Sequence, residues 1–475
     1  MLMGFRRQAG AWIFMCAVLL ATPWARAQPL PAPVIEALQR AGIPGHAVGA
    51  WVQEAGADRV LVAVNPATPF NPASTMKLLT TGAALDLLGP ATTWKTEVYA
   101  TGVLAGDVLQ GDLVIKGGGD PRLVVENLWQ FLREIRARGI REIRGNLVLD
   151  RSLFAPDNHD PAQFDGDPGR PYNAGADALL FNFKSFTVRF LPDPAQGRVG
   201  LAVEPPLATF QVIGPALGAG ECGEWRQKLL MTQDARVLQF GGAYPAACGE
   251  KTLHVLAWNM SSARYFEIVF RRLWADLGGV LAGAVTEGAT PADAWLVAQR
   301  ESSSLAEVVR DINKFSNNVM ARQLLLNMAA RFTGQPATVA GGAEVVKTWV
   351  VARRLEMPEL VIDNGSGLSR DGRIAAGSMA RLLQAAFRAP TMPEFMASLP
   401  LAGQDGTMRK RLNGHAVAGM AHIKTGYLRD VRAIAGYVLA ASGKRYVVVF
   451  LINHANAAGA ADAQDLLLKW VHEHG

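Results

Sequence analysis

Segments with the alternating polar and apolar pattern of β-strands lie at the two ends of the chain, and a long stretch of different texture separates them. Near the start, residues 47–53 and 59–65 predict two strands joined by a turn, and a helical pattern ends at Gly89-Pro90. The late elements are three strands and a final helix, at residues 421–427, 432–439, 446–453 and 460–472. These elements predict one α/β domain that is split by a long insertion.

The insertion begins near residue 93 and has its own organisation. A predicted hairpin is followed by an amphipathic helix near residues 124–138, and residues 155–177, rich in Pro, Gly, Asp and Asn, predict a long loop. From about residue 186 to residue 255, short strand-like runs alternate with Gly and Pro, which predicts a small all-β module nested inside the insertion. Gly117-Gly118-Gly119 predicts a tight turn, since no Gly-Lys-Ser/Thr follows it to bind phosphate.

The first 27 residues resemble a secretory signal. Arg6 and Arg7 precede the apolar run Ala11–Ala21, and Ala25-Arg26-Ala27 is an A-x-A cleavage pattern. The apolar run is too short to span a membrane in a mature protein. We therefore expect a cleaved signal peptide at residues 1–27 and export of the remainder.

The charge balance disfavours one class of partner. The whole chain carries 47 basic and 41 acidic residues, and removal of the signal takes away three arginines and no acid. The remaining excess of positive charge is small and forms no obvious stripe that could follow a phosphate backbone. We therefore expect no nucleic acid partner.

Two cysteines, Cys222 and Cys248, remain after removal of the signal. An even number of cysteines in an exported protein favours a disulfide. The alternative is a pair of buried thiols.

The segment Asn71–Leu79 carries the first candidate for chemistry. Asn71 can cap a helix and Pro72 suits its first position, so Ser74 and Lys77 are expected three residues apart on one helical face. The hydroxyl, the amine and the free N–H groups of a first turn together favour an activated nucleophile. The alternative is a capped helix with a surface lysine.

Two further short motifs lie downstream. Ser316-Asn317-Asn318 falls between two helical patterns, and Lys424-Thr425-Gly426 falls on a predicted strand, where glycine lets another backbone approach closely. Alone, the first is also a common helix cap and the second holds an ordinary surface lysine. The three patterns in this order are specific where each pattern alone is weak.

In this order, Ser-x-x-Lys, Ser-x-Asn and Lys-Thr-Gly resemble the motifs of penicillin-binding proteins and serine β-lactamases. The long interval between Lys77 and Ser316 and the Gly-Gly-Gly-Asp-Pro run are similar to the class C low-molecular-mass group, the D-alanyl-D-alanine carboxypeptidase/endopeptidases. Residues 363–369 and 401–407 are also similar to that group. The resemblance covers essentially the whole chain after the signal.

The resemblance implies a β-lactamase/transpeptidase-like domain, an antiparallel sheet flanked by helices, interrupted by two further, mainly β, domains. The domains are then expected at residues 28–92 with 286–475 (catalytic), 93–185 with 256–285 (domain II) and 186–255 (nested domain III). It also implies that Ser74, Lys77, Ser316, Asn318 and Lys424 are catalytic. Thr425, Gly426 and Tyr427 are implied to bind substrate, with the N–H groups of Ser74 and Tyr427 forming an oxyanion hole.

In the resembled group, an acidic residue of domain II faces the amine of the substrate side chain. The candidates here are Asp165 and Asp167, of which Asp167 is preferred. The alternative is two solvated loop aspartates. The eight histidines show no helical metal-ligand spacing apart from a pair at the C-terminus, so neither a metal nor another cofactor is expected.

The sequence therefore predicts a periplasmic serine D-Ala-D-Ala carboxypeptidase with DD-endopeptidase activity on peptidoglycan stem peptides. β-Lactams are expected to acylate it, no transmembrane segment is expected after signal cleavage, and peripheral contact with the membrane stays open. The alternatives are a serine β-lactamase and a catalytically inert scaffold that binds peptidoglycan.

Overall fold

The computed structural model of the protein describes residues 29–156 and 159–475. The predicted signal peptide lies outside the described residues. Within them, no helix combines the length and the apolar character needed to cross a bilayer.

The described residues form ten α-helices and 23 β-strands, numbered in chain order. The helices are α1 Ala32–Arg40, α2 Lys77–Leu88, α3 Val125–Ala137, α4 Ser262–Asp276, α5 Leu305–Phe315, α6 Asn318–Phe332, α7 Val339–Ala352, α8 Ala376–Arg388, α9 Met392–Ser398 and α10 Ala461–His474. The strands are β1 Val48–Glu54, β2 Val60–Val64, β3 Pro69–Phe70, β4 Lys95–Ala100, β5 Val103–Ala105, β6 Val108–Gln110, β7 Leu113–Lys116, β8 Glu142–Ile143, β9 Leu147–Asp150, β10 Ser185–Asp193, β11 Arg198–Glu204, β12 Gln211–Ile213, β13 Ala216–Gly218, β14 Leu229–Gln233, β15 Val237–Pro245, β16 Lys251–Leu256, β17 Val280–Leu281, β18 Val285–Glu287, β19 Trp295–Glu301, β20 Ile374–Ala375, β21 Ala421–Leu428, β22 Val431–Leu439 and β23 Arg445–Asn453.

A five-stranded antiparallel sheet joins the two ends of the chain, as the sequence predicted. Its strand order is β2-β1-β23-β22-β21, so the first strand of the chain lies beside the last one. The β1–β23 register runs from Val48 opposite Ile452 to Glu54 opposite Tyr446. The edge strand β21 carries the predicted Lys-Thr-Gly motif.

Both faces of this sheet are covered by helices, which explains the continuous apolar run in β23. Phe450 packs in one buried cluster with Val34 of α1 and Leu467 of α10. Val449 packs in the opposite cluster with Leu383 of α8, because successive side chains of a strand point to opposite faces. Each such fully buried side chain contributes about 1.5–3 kcal/mol to the stability of this domain.

The insertion has two sheets of its own, with strand orders β18-β9-β7-β4-β19 and β17-β8-β6-β5. Strand β18 spans residue 286, where the sequence placed the return to the catalytic domain, and β19 lies after that residue, yet both strands hydrogen-bond in the sheet of the insertion. The domain bounds stay a prediction, and we propose to move this return to a point after Glu301.

The nested β module extends from β10 to β16. One of its sheets has the order β11-β10-β16, and the other is built around β15. Its core is aromatic, with Phe190 packed against Trp225, Phe240 and Tyr244. The predicted disulfide between Cys222 and Cys248 is present, and it links the segment just before Trp225 to the segment just after Tyr244.

Helix α6 fixes the insertion to the domain of the five-stranded sheet. Gln323 Nε2 donates to the carbonyl of Asp177 at 2.6 Å, and Asn327 Nδ2 donates to the carbonyl of Gly119 at 2.8 Å. The tight turn predicted for the glycine run is not formed at residues 117–119, whose N–H groups at Gly117 and Gly119 donate to the distant carbonyls of Asp150 and Ala178. Glycine is needed at position 119 because its φ is +80° and the side chain of Asn327 occupies the space of a Cβ. The insertion is therefore fixed to the helix that also carries Asn318.

Candidate active site

Ser74 lies on a strained turn directly before α2. The turn is a 3₁₀ helix, Ala73–Met76, and its first residue, Ala73, has a φ of +45°. A non-glycine residue in this conformation costs energy unless its surroundings hold it there. Asn71 provides one such hold, since its side chain accepts from the N–H of Ala73 and donates to the carbonyl of Ser369, both at 2.9 Å.

The start of this helix differs from the prediction. The sequence indicated Asn71 as the cap and Pro72 as the first helical residue, whereas α2 begins at Lys77. The Asn71 side chain binds a distant segment as well as its own turn, and this tertiary contact displaces the local capping pattern. Ser74 and Lys77 nevertheless lie side by side.

Lys77 is completely buried and contacts three oxygens. Its Nζ lies 3.0 Å from Ser74 Oγ, 2.6 Å from Asn318 Oδ1 and 2.5 Å from the carbonyl oxygen of Ser366. Burial above all, and then the charges of Lys424 and Arg322, lower the pKa of Lys77 well below its ordinary value. The neutral amine is thereby favoured, so Lys77 can take the proton of Ser74.

The junction between α5 and α6 delivers two of the predicted residues. Ser316 ends α5 in the left-handed conformation, with a φ of +57°, and Asn317 caps α6 by accepting from the N–H of Met320. The helix-cap interpretation of this motif therefore applies to Asn317, while Ser316 and Asn318 on either side of it contact the two lysines.

Lys424 is also completely buried, and its charge acts on Lys77. Its Nζ donates to Ser316 Oγ at 3.0 Å and to the carbonyl of Thr425 at 2.8 Å. Burial lowers the pKa of Lys424 to about 7. Thr425 Oγ1 donates to Thr407 Oγ1 at 2.8 Å, and both hydroxyls line the cleft.

Gly426 lets β21 approach the turn that carries Ser74. A Cβ at this position would lie 2.7 Å from the carbonyl oxygen of Pro72. The N–H of Ile423 points away from the sheet, since it donates to the carbonyl of Pro400. Because the N–H groups of an antiparallel strand alternate in direction, that of Tyr427 also points to the open edge, toward this turn.

A glycine turn supplies the third oxygen at Lys77. Gly365 and Gly367 have φ values of +71° and +74°, which orient the carbonyl of Ser366 toward the amine. The sequence of residues 363–369 is similar to the resembled group, but it did not reveal the contact with Lys77. The sequence feature that could have indicated this contact is the Gly-x-Gly spacing of Gly365 and Gly367 in a segment rich in polar residues.

Replacing Gly367 by alanine is expected to destabilise the protein by about 2–4 kcal/mol, because a Cβ there would overlap the Ala73 carbonyl oxygen and adds strain at positive φ. Gly443→Ala is the matched control, since Gly443 has a φ of +82° and no atom within 4 Å of the position that a Cβ would take. We expect this control to lose only about 1 kcal/mol. Urea unfolding of both variants measures the difference. Equal losses would contradict the steric argument.

Arg322 is a functional candidate that the sequence did not indicate. It lies one turn after Asn318 on α6, and its Nη1 donates to the carbonyl of Ala174 at 2.7 Å and to that of Tyr172 at 3.3 Å. The same guanidinium contributes to the lowered pKa of Lys77. Arg322 therefore connects the long loop of the insertion to the surroundings of Lys77.

A cleft of about 1380 Å³ runs between the domain of the five-stranded sheet and the insertion, and the predicted residues that line it are Ser74, Ser316, Asn318, Thr425 and Tyr427. Asp165 lies in its wall and accepts from Tyr172 Oη at 2.7 Å and from Asn173 Nδ2 at 2.9 Å. Asp167, preferred from the sequence, instead forms an ion pair with Arg170 at 2.6 Å. Of the two candidates, the geometry favours Asp165.

Among the described residues, no group of three or more His, Cys, Asp and Glu side chains could hold a metal ion. The chemistry open to the residues described above is nucleophilic attack by Ser74, with two buried amines, Lys77 and Lys424, to move or attract charge.

Comparison with known proteins gives a consistent set of relatives. A family model described as the D-Ala-D-Ala carboxypeptidase 3 (S13) family matches residues 30–474. The D-alanyl-D-alanine carboxypeptidase of Actinomadura sp. strain R39 is 27% identical over 457 residues, which cover 92% of this chain and 83% of the relative. The D-alanyl-D-alanine carboxypeptidase DacB of Haemophilus influenzae is 26% identical over 412 residues, which cover 86% of each chain.

Solved structures share the fold. The crystal structure of penicillin binding protein 4 (dacB) from Haemophilus influenzae superposes with a TM-score of 0.79 at 23% identity, over 93% of this chain and 99% of that chain. A predatory endopeptidase from Bdellovibrio bacteriovorus, in complex with an immunity protein, has a TM-score of 0.54 at 15% identity, over 89% and 92% of the two chains. The predicted fold class, a helix-flanked antiparallel sheet with additional inserted domains, is thereby confirmed.

Proposed function

Because the chain belongs to the D-Ala-D-Ala carboxypeptidase 3 (S13) family of serine-type hydrolases, we propose that it removes the terminal D-alanine of peptidoglycan stem peptides and also cuts D-alanyl cross-links between them. Both reactions pass through an acyl-enzyme on Ser74, and β-lactams acylate the same oxygen. A solved relative, penicillin binding protein 4 of Haemophilus influenzae, is described in complex with a β-lactam.

The observation that carries this proposal is the contact between Ser74 and a buried lysine. An alcohol is a weak nucleophile until a neighbour takes its proton. Lys77 lies 3.0 Å from Ser74 Oγ, and its lowered pKa favours the neutral amine. Asn318 and the carbonyl of Ser366 hold the amine in place, so little rearrangement is needed when the proton moves.

In the acylation step, Ser74 Oγ attacks the carbonyl carbon of the penultimate D-alanine as Lys77 accepts the proton. The negative oxygen that develops would lie between the N–H groups of Ser74 and Tyr427. The positive φ of Ala73, directly before Ser74, and the close approach of β21 at Gly426 support this arrangement. Such paired donors typically contribute a few kcal/mol to the transition state.

The departing amine needs a proton, and Ser316 is placed to pass one on. Its hydroxyl accepts from Lys424 and lies in the same cleft as Ser74. Lys424, when protonated, and Thr425 attract the C-terminal carboxylate of the peptide. Water then hydrolyses the ester and regenerates Ser74.

For the amine of the substrate side chain, we propose Asp165 as the partner in place of Asp167. Its carboxylate faces the cleft, and the donors that bind it, Tyr172 and Asn173, are neutral. Asp167 is already paired with Arg170. Among the described residues Asp165 forms no ion pair, although the charge of Arg170 acts on it, so a cationic side chain of a stem peptide would pair with this carboxylate directly.

We also propose a periplasmic location. It is supported by the signal-like sequence at residues 1–27 and by the disulfide, which needs an oxidising compartment.

The proposal is tested by mass spectrometry after incubation with a penicillin and by product analysis on two peptides, a D-Ala-D-Ala pentapeptide and a cross-linked dimer. We expect a long-lived penicillin adduct on Ser74 and cleavage of both peptides. In Ser74→Ala we expect neither the adduct nor peptide cleavage. Rapid turnover of the penicillin without peptide cleavage would identify a β-lactamase. The absence of any reaction would identify a scaffold.

The ratio kcat/KM for a D-Ala-D-Ala peptide is expected to fall as the pH rises through about 7, because Lys424 loses the charge that attracts the peptide carboxylate. This parameter reports the pKa values of the free enzyme. In Lys424→Arg the side chain stays charged, so kcat/KM of this variant should not fall at high pH, although its value will be lower than that of the wild-type protein. A flat profile for the wild-type protein up to pH 9 would contradict this role of Lys424.

A further inference from the structure

The cleft that contains Ser74 continues onto the nested β module. Its far wall includes Thr187 of β10, Leu253 and His254 of β16, and Arg226. The volume of about 1380 Å³ exceeds the roughly 300–1,000 Å³ of typical small-molecule sites. A D-Ala-D-Ala terminus at Ser74 would leave this far wall free for another part of the substrate.

The lining of the cleft is strongly cationic, although the chain as a whole is nearly balanced in charge. Among the described residues, four arginines line it against a single carboxylate, that of Asp165. Arg170 and Arg370 have acidic partners, Asp167 and Asp430. For Arg226 and Arg429, no carboxylate of the described chain lies within ion-pair distance. Arg429 is on the β21–β22 turn beside Tyr427, whereas Arg226 is on the far wall.

Arg226 is held on a rigid support. It lies over the ring of Trp225, with 5.5 Å from its guanidinium carbon to the ring centre, and Trp225 is buried against Phe190 and Tyr244. The disulfide at Cys222 fixes the chain just before this turn. A guanidinium on such a support can bind a carboxylate through two parallel hydrogen bonds with little loss of side-chain freedom.

A hydroxyl and an imidazole complete the far wall. Thr187 and His254 lie directly opposite each other on β10 and β16, and Thr187 Oγ1 is 3.0 Å from His254 Nδ1. Both side chains face the cleft and offer further donors to an anionic or amide group.

We propose that Arg226, with the Thr187–His254 pair, forms a second subsite that binds a carboxylate of an acidic peptide whose D-alanyl end is held at Ser74. The inference rests on the proposed function and extends it. The carboxylate belongs either to the cleaved peptide itself or to the second peptide of a cross-linked pair.

The test compares Arg226→Gln with Arg198→Gln, which removes the same charge from an exposed position on β11 outside the cleft lining. The substrates are a D-Ala-D-Ala peptide with a free glutamate carboxylate, the same peptide with that carboxylate amidated, and a cross-linked dimer. For Arg226→Gln we expect about a tenfold loss in kcat/KM, mainly through KM, on substrates with the free carboxylate. The amidated peptide and the rate of penicillin acylation should not respond, and thermal unfolding should match that of Arg198→Gln.

Loss on the monomeric acidic peptide assigns the carboxylate to the cleaved peptide, and loss on the dimer alone assigns it to the second peptide. Equal activity of the two variants on every substrate, or an equal loss on the amidated peptide, overturns the subsite while the proposed function stands. A wild-type protein that cleaves none of the peptides and forms no penicillin adduct overturns both.

Discussion

Lys77→Met is expected to slow acylation of Ser74 by at least about 10³-fold, for both a penicillin and a D-Ala-D-Ala peptide. Methionine has nearly the length of lysine and suits a fully buried position, but it cannot accept the proton of Ser74. The loss should appear in kcat as well as in kcat/KM, because the proton moves in the transition state and not on binding. Stopped-flow measurement of adduct formation gives the rate directly.

Lys116→Met is the control for loss of a single positive charge, since Lys116 is half-buried on β7 of the insertion. It should acylate at the wild-type rate. The buried amide of Asn318 loses its partner in Lys77→Met, so some loss of thermal stability is expected and does not bear on the role of the lysine. Acylation of Lys77→Met at more than a tenth of the wild-type rate would assign proton transfer to another group.

The arrangement of the catalytic sheet was predictable because its strands carry their own periodicity. The alternation in β1 and the apolar run in β23 both reflect burial against helices, which sequence patterns report directly. Each end of the chain has too few strands to form a complete sheet alone, so the sequence predicted that the two ends share one domain. The return from the insertion was harder to place, since β18 and β19 are short or half-exposed and resemble loop segments.

The motifs predicted candidate catalytic side chains but did not reveal the contacts that these side chains make with distant backbone groups. The Ser366 carbonyl reaches Lys77 across 289 positions of sequence, and Arg322 reaches the Ala174 carbonyl across 148. Every residue has a backbone carbonyl, so the type of the accepting residue does not indicate that its carbonyl makes such a contact. The choice between Asp165 and Asp167 was open for a related reason, since both are loop aspartates and only the fold decides which one faces the cleft.

Gly426→Ala is expected to reduce the rate of acylation by about 10²–10³-fold, the usual effect of losing one oxyanion-hole donor. The added Cβ would lie 2.7 Å from the Pro72 carbonyl oxygen and 3.1 Å from Ala73 Cβ, so β21 must move away from the turn that carries Ser74. The N–H of Tyr427 then moves out of reach of the developing oxyanion. The change should lower kcat and leave KM nearly unchanged, because the hole is filled only in the transition state.

The control separates this movement from any general effect of a larger residue in a strand. Gly200→Ala on β11 places its Cβ 3.5 Å from the nearest atom, the Leu191 carbonyl oxygen, which is ordinary contact. Replacing glycine within a strand removes chain entropy from the unfolded state, so Gly200→Ala should keep or gain stability. If Gly426→Ala acylates at the wild-type rate while its melting temperature falls, the close approach at Gly426 serves packing alone. If Gly426→Ala instead acylates slowly and keeps its melting temperature, the distance between β21 and the Ser74 turn sets the rate of acylation.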